Sequence, residues 1–171
     1  MVVDGRALER LGPADLGRLA ELCVRCSDFF ELIGGEPATE ATAAEILGPL
    51  AEKVARGTKH VWGLEEGGRL MAVTELLQDY PAAGEWYVGL LLIATERRRQ
   101  GLGARICAAI RDWIAGQGGT TLRLVVQPQN GDARRFWERE GFAIEREVMS
   151  RTGRLEGAVA VLKASVSVVS V

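Results

Sequence analysis

The stretch Arg98-Arg99-Gln100-Gly101-Leu102-Gly103-Ala104 combines what an anion site needs. It lies between an apolar run and an amphipathic segment, so it reads as a tight turn opening a helix. Such a turn leaves the backbone N–H groups of the loop and first helical turn without partners, where the helix dipole favours negative charge. Gly101 and Gly103 let an anion approach the backbone, and Arg97, Arg98 and Arg99 add guanidinium forks. The chemistry implied is a phosphate or pyrophosphate cradle. It is not a Walker loop, which ends Gly-Lys-Ser/Thr, whereas this stretch ends Gly-Ala-Arg. Nor is it the dinucleotide fingerprint. Ile106 stands where that pattern has Gly or Ala, and Leu122-Arg123-Leu124 stands where an acidic residue is usual. A glycine-containing turn with no ligand is the plain alternative.

Other reactive side chains are few. Cys23 and Cys26 form a lone C-x-x-C, Cys107 is the third cysteine, and His60 is the single histidine. That set does not make a four-ligand zinc site without carboxylates, and it argues against Ser–His or Cys–His nucleophile chemistry. No metal is expected. Cys23 and Cys26 read as residues on an N-terminal helix, one or both buried, and the odd number of cysteines fits a reducing, cytoplasmic setting. Asp4, Arg6, Glu9 and Arg10 precede any apolar run, so the N-terminus does not read as a signal peptide.

The elements around the loop follow from periodicity. Residues 6–11 read as a short strand. Pro13-Ala14-Asp15 starts a helix with a stripe at Leu16, Leu19, Ala20, Leu22 and Cys23, fading near Phe29-Phe30. Thr39 or Thr42 caps a second helix to about Ala55. His60–Leu64, Gly67-Gly68 and Leu70–Leu77 make a hairpin. Trp86–Ile93 is nearly continuously apolar, the mark of a strand buried on both faces. A helix over Gly103–Ala115, a strand over Thr121–Val126, a helix over Asp132–Glu140 and strands near Phe142–Met149 and Ala158–Lys163 complete the order. Residues 164–171 read as a strand extension, a segment pairing with a second copy, or a frayed end. The strand–helix–strand unit at 86–126 requires a parallel pair.

The 171 residues contain 21 glycines, against a background of about 7%. Hydrophobic residues are 47%, charged residues 26%, and the net charge is −2, which fits one globular domain spanning 1–171 and excludes a polybasic nucleic-acid binder; the α/β class follows from the order of strands and helices above. No long uncharged apolar stretch suggests a membrane span.

The order of a buried strand, R-x-x-G-x-G/A and a helix, followed by a strand and Asn130-x-x-Ala133-x-x-Phe136-Trp137 with Gly141-Phe142, resembles the GCN5-related N-acetyltransferase (GNAT) superfamily. The resemblance is strong over 86–142 and looser before it. It implies a mixed, mostly antiparallel sheet splayed between the 86–93 and 121–126 strands, with helices on both faces. It implies acetyl-CoA as acyl donor and transfer to a small-molecule or peptide amine by direct attack in a ternary complex. Leu91, Leu92 and Ile93 would line the cofactor arm with their backbone, and an N–H near Leu91 or Leu92 would stabilise the oxyanion. The amides of Arg99, Gln100, Gly101, Leu102, Gly103 and Ala104 would hold the pyrophosphate, with Arg98 opening the motif, and Asn130 would touch the cofactor arm.

One position departs from the family. The usual proton-donating tyrosine is Trp137 here, whose indole N–H donates a hydrogen bond but has no usable acidity, so it reads as a wall of the cofactor arm. The resemblance places a strand carboxylate near Tyr87, and Glu85 lies two residues earlier on the same face, making these the candidate base or donor. Asp28, Phe29 and Phe30, where the family builds its acceptor site, and Tyr80 are the candidate acceptor contacts. The rival is a non-catalytic acyl-CoA-binding sensor or interaction domain. A homodimer is an allowed state.

Overall fold

A computed structural model describes residues 1–50 and 57–166. Strands β1 (Val2–Val3) and β2 (Arg6–Ala7) pair with each other, and β3 (Glu9–Arg10) starts the main sheet. Helices α1 (Leu16–Arg25), α2 (Ser27–Gly34) and α3 (Glu40–Leu47) come next. The long hairpin β4 (Thr58–Glu66) and β5 (Arg69–Gln78) is followed by β6 (Glu85–Ile93), α4 (Leu102–Gly116), β7 (Thr121–Val126), α5 (Gly131–Arg139), β8 (Ala143–Thr152) and β9 (Leu155–Ser165).

The seven strands of the main sheet run in the order β3-β4-β5-β6-β7-β9-β8. Every neighbouring pair is antiparallel except β6 and β7. That parallel pair is short: only Glu85, Trp86 and Tyr87 find partners, in Thr121, Leu122 and Arg123. Beyond Tyr87 the two strands separate, and β6 keeps hydrogen bonds to β5 alone. This is the expected mixed α/β architecture with its splay.

Two cores cover the sheet. One contains Leu19, Leu22 and Cys23 of α1, Ala43 and Ile46 of α3, and Val61, Val73 and Leu92 of the sheet. The other packs Leu102, Ile106, Ile110 and Ile114 of α4, with Trp137 of α5, on Trp86, Val88, Leu122 and Leu162. Burial of each Leu, Ile or Val side chain here contributes about 1.5–3 kcal/mol before entropy is counted.

Several boundaries differ from expectation. The 6–11 stretch divides between β2 and β3, in different sheets. Pro13–Asp15 is a 3-10 turn in which the Asp15 carboxylate accepts from the Gly12 N–H. The first helix breaks at Cys26, so Phe29 and Phe30 belong to a separate short helix. The second expected helix is capped at Thr39 and ends at Leu47. Its expected continuation through Val54 and Ala55 lies outside the described residues, as do residues 167–171 of the tail. Up to Ser165 the tail extends β9, paired with β7, and the Val166 N–H reaches Thr120.

Trp86–Ile93 is the more instructive difference. It is not uniformly buried: Gly89 is exposed, and Leu90, Leu91 and Ile93 are half-buried. Leu76 pairs with Val88 and Glu75 with Leu90, leaving Gly89 as an extra residue in a β-bulge. A one-residue insertion switches the face of every later side chain. Trp86 and Val88 therefore face the α4 core, and after the bulge Leu91 and Ile93 do so while Leu92 faces the α1–α3 core. The missing alternation records the bulge as much as burial.

Candidate active site

The splay makes a cleft of about 120 Å³ lined by Val88, Gly89, Leu90 and Leu91 of β6, and by Leu124, Val125 and Val126 of β7. Phe29 and Ile33 of α2 close one side, and Asn130, Ala133 and Trp137 another. The cleft thus passes between the separated strands, where the edge of β6 has no strand partner. Trp137 is nearly buried and held edge-on by Phe136 and Phe142, with ring centroids 4.8 and 5.1 Å away. Among the described residues its indole N–H has no hydrogen-bond partner in the protein. Asn130 caps α5: its Oδ1 accepts the Ala133 N–H at 3.2 Å. Its Nδ2 donates to no described protein group.

The glycine loop has the geometry of a cradle. Arg99 (φ 59°) and Gly101 (φ 74°) adopt the left-handed conformation, which Gly101 accepts without strain and Arg99 does not. None of the backbone N–H groups from Arg99 to Ala104 donates to a protein acceptor among the described residues, whereas the Arg105 N–H returns to Gly101. Consecutive unpaired amides at the positive end of a fifteen-residue helix suit a diphosphate. Gly103 has a second reason to be glycine. A Cβ there would meet the Phe136 ring at 3.3 Å, so its bareness serves the α4–α5 contact as well as any ligand.

Arg98 does not behave as a free phosphate fork. Its two terminal nitrogens bond Asp28 at 2.5 and 3.1 Å, and its Nε bonds the Ile93 carbonyl at 3.0 Å. The pair holds the Asp28 carboxyl below its usual range. Arg98 thus latches α2 to the end of β6, and Asp28 is its partner in that latch. Ile93 offers no free carbonyl either, since Arg98 and the Cys26 thiol occupy it.

Glu85 and Tyr87 also read differently. Glu85 sits at the closed end of the splay, ion-paired at 2.7 Å with Arg123, which also grips Glu145 of β8. Its Oε2 is thus committed to the Arg123 guanidinium. Burial, with Tyr80 beside it, pushes the Tyr87 hydroxyl up to about 12, which removes it as a base near neutrality and leaves it at most a donor. Tyr80 packs edge-on against Tyr87 at 5.7 Å, outside the cleft lining. Phe29 does line the cleft, while Phe30 packs edge-on against it at 5.2 Å. Leu91 is in the lining and Leu92 is buried in the α1–α3 core.

Sequence reasoning passed over two positions. Gly89 was legible, because an isolated glycine in a strand pattern signals a bulge. Glu75, the one carboxylate within the apolar Leu70–Leu77 run, was legible as an oddity. Its carboxylate lies against Gly89, and burial raises its pKa despite the neighbouring Lys59. Elsewhere Cys23, Cys26 and Cys107 are free and buried, with the Cys23 thiol pushed up to about 12 by burial. No group of three metal-ligating side chains and no membrane-length apolar helix occurs among the described residues.

The acetyltransferase (GNAT) family model matches residues 25–142, well over half of the chain. The chain belongs to the GNAT acetyltransferase family. Its fold is similar to an acetyltransferase from Thermus thermophilus, at 24% identity, TM-score 0.72, and coverage of 93% of this chain and 96% of that one. It is also similar to the ribosomal-protein-S18-alanine N-acetyltransferase of Escherichia coli, at 19% identity, TM-score 0.68 and 96% of both chains. An aminoglycoside 6'-N-acetyltransferase complexed with coenzyme A matches at 14% identity and TM-score 0.67, over 95% of this chain and 98% of that one. No curated protein sequence matches the chain. The GNAT chain is accordingly an acyltransferase with acetyl-CoA as donor.

Proposed function

We propose that this GNAT enzyme transfers the acetyl group of acetyl-CoA to a primary amine by direct attack within a ternary complex. The observation that carries this reading is the coincidence of the bulged, unpartnered β6 edge with the free amides of the glycine loop at its far end. The Arg99–Ala104 amides hold the diphosphate, and Asn130 Nδ2 and Trp137 meet the cofactor arm. The β6 edge from Val88 to Leu91 supplies backbone groups to the thioester carbonyl. A backbone N–H fixed near the bulge is a preorganised oxyanion donor, and losing one such donor typically costs about 2.7–4 kcal/mol of transition-state stabilisation. Fixing two substrates in one cleft supplies much of the remainder. Burial raises the Cys107 thiol pKa, and the residue lies in the α4 core, so no acyl-enzyme is required. Trp137 favours one alternative, a non-catalytic sensor, because it cannot protonate the departing thiolate.

Calorimetry with acetyl-CoA, followed by thiol release in the presence of an amine panel, decides between them. Binding with amine-dependent thiol release supports the transferase. Tight binding with no turnover on any amine supports the sensor.

A further inference from the structure

The site as described has an oxyanion donor and a donor-substrate cradle but no group to free the amine lone pair. An amine near neutral pH is mostly ammonium, and an ammonium cannot attack a carbonyl. The acids first placed at the site are Asp28 and Glu85, and each is tied to an arginine.

Glu75 is placed differently. It faces the α1–α3 side of β5, two residues after Val73 of that core. Its Oε2 meets Lys59 Nζ at 3.2 Å. Lys59 spends its remaining donors on the carbonyls of Glu45 (3.2 Å) and Gly48 (3.1 Å), so it holds the carboxylate from one side only. The other oxygen, Oε1, accepts no hydrogen bond from any described residue and lies over the bulge. A Cβ built on Gly89 would sit 2.5 Å from it. Gly89 is therefore bare for a reason: any side chain would fill the space between this oxygen and the cleft that Gly89 lines.

We propose that Glu75 is the general base, its Oε1 reaching the acceptor nitrogen across the side-chain-free bulge at Gly89. This rests on the transferase reading above. The ammonium gives one proton to Oε1. The freed lone pair forms the N–C bond to the thioester carbonyl carbon, and the tetrahedral adduct collapses with cleavage of C–S, the electron pair leaving on sulfur. The nitrogen's second proton passes to that thiolate, and protonated Glu75 returns its proton to water. The balance needs no acid at Trp137, which accounts for a tryptophan being tolerated there. Lys59 is the charged group facing Glu75 among the described residues, from β4. From β6 comes Gly89, and the carbonyls of Glu45 and Gly48 at the end of α3 face Lys59. Burial raises the carboxyl pKa and the lysine lowers it, which brings the base nearer its working pH.

The test compares wild type, Glu75→Gln and Gly89→Ala on paired amines, ethylamine and trifluoroethylamine, the latter largely neutral at neutral pH. Acetyl-CoA affinity and melting temperature are measured alongside. Glu75→Gln lowers kcat/KM for ethylamine by about 10²-fold or more and abolishes its acidic limb in the pH profile. The loss on trifluoroethylamine is several-fold at most, and acetyl-CoA affinity is unchanged. Gly89→Ala, which displaces the carboxylate, reproduces the amine-selective loss with Glu75 still present. Equal losses on both amines overturn the proposal in favour of a structural role, and wild-type rates in Glu75→Gln overturn it outright. A wild type that binds acetyl-CoA yet acetylates nothing overturns the transferase reading, and the base with it.

Discussion

Asn130 carries two jobs on one amide, and substitutions separate them. Its Oδ1 caps α5 through the Ala133 N–H, and its Nδ2 is left as a donor on a residue that lines the cleft. Asn130→Ala removes both. Losing the cap costs about 1 kcal/mol, which for a chain of this size lowers the melting temperature by about 2–4 °C. Asn130→Ser keeps a capping oxygen and removes only the Nδ2 donor. Asn130→Asp keeps the cap as well, with a carboxylate that the helix dipole favours by about 0.3–1 kcal/mol, and turns a donor toward the cleft into an acceptor. Both should melt within a degree or two of the parent, by the ranking of Asn, Asp and Ser as caps. If Nδ2 meets the cofactor arm, each loses about 0.5–1.5 kcal/mol of binding, a weakening of about 2- to 12-fold, and Asp loses more through its charge. The assay is a melting curve without ligand beside acetyl-CoA calorimetry on all three variants. Full-affinity binding by Asn130→Ser and Asn130→Asp would refute the cofactor role and leave capping alone. Melting of Asn130→Asp as low as Asn130→Ala would refute the cap.

Three further outcomes are expected. His60 is nearly buried against Trp86 and Trp113 with its pKa lowered by desolvation, so the unfolded chain binds the proton more readily. Stability therefore falls as pH drops below about 6.5, and melts between pH 8 and 5 should show His60→Phe without that limb. Cys107→Ala should retain thiol release near the parent rate, and intact-mass spectra during turnover should show no acetylated enzyme. Because the Arg98–Asp28 pair is partly exposed, Arg98→Ala and Asp28→Ala should each cost on the order of 1 kcal/mol, with the double variant well short of the sum. Additive losses in the denaturant cycle would mean the latch is not one interaction.

Much of the architecture was legible because it lies in local pattern: the Gly67-Gly68 hairpin, the Thr121–Val126 strand and the helix after Gly101 fall within a residue or two of expectation. The parallel pair followed from the need for a crossover. The chemistry around the site was less legible, and the reason is physical. Periodicity says which face a residue occupies, not what its charge meets across the fold. Arg98 and Asp28 are seventy residues apart, and Arg123 meets Glu85 and Glu145 from two other strands. No local pattern reports such pairs, so acids free in the sequence proved engaged in the structure. The bulge had one sequence signal, the isolated Gly89, and the rest was masked because a parity switch inside an apolar run looks like burial on both faces.

The ion pairs of Arg98 and Arg123 explain how the cleft stays open. Past Tyr87, β6 gives up its hydrogen bonds to β7, and a strand edge left that way is free to shift or to pair elsewhere. Each end of β6 is instead held by an arginine. At the closed end, nearly buried Arg123 binds Glu85 and Glu145 and so joins β6, β7 and β8. At the open end, Arg98 binds the Ile93 carbonyl and Asp28 of α2. Guanidinium suits both places, since a planar fork fixes direction as well as distance. Between these anchors lie the bulge, the free backbone edge and Glu75, whose Oε1 accepts from no described residue. Replacing either arginine should therefore disturb the width of the cleft before it disturbs any reacting group. An Arg123→Met variant that folds should lose acetyl-CoA affinity while keeping the amine selectivity that depends on Glu75.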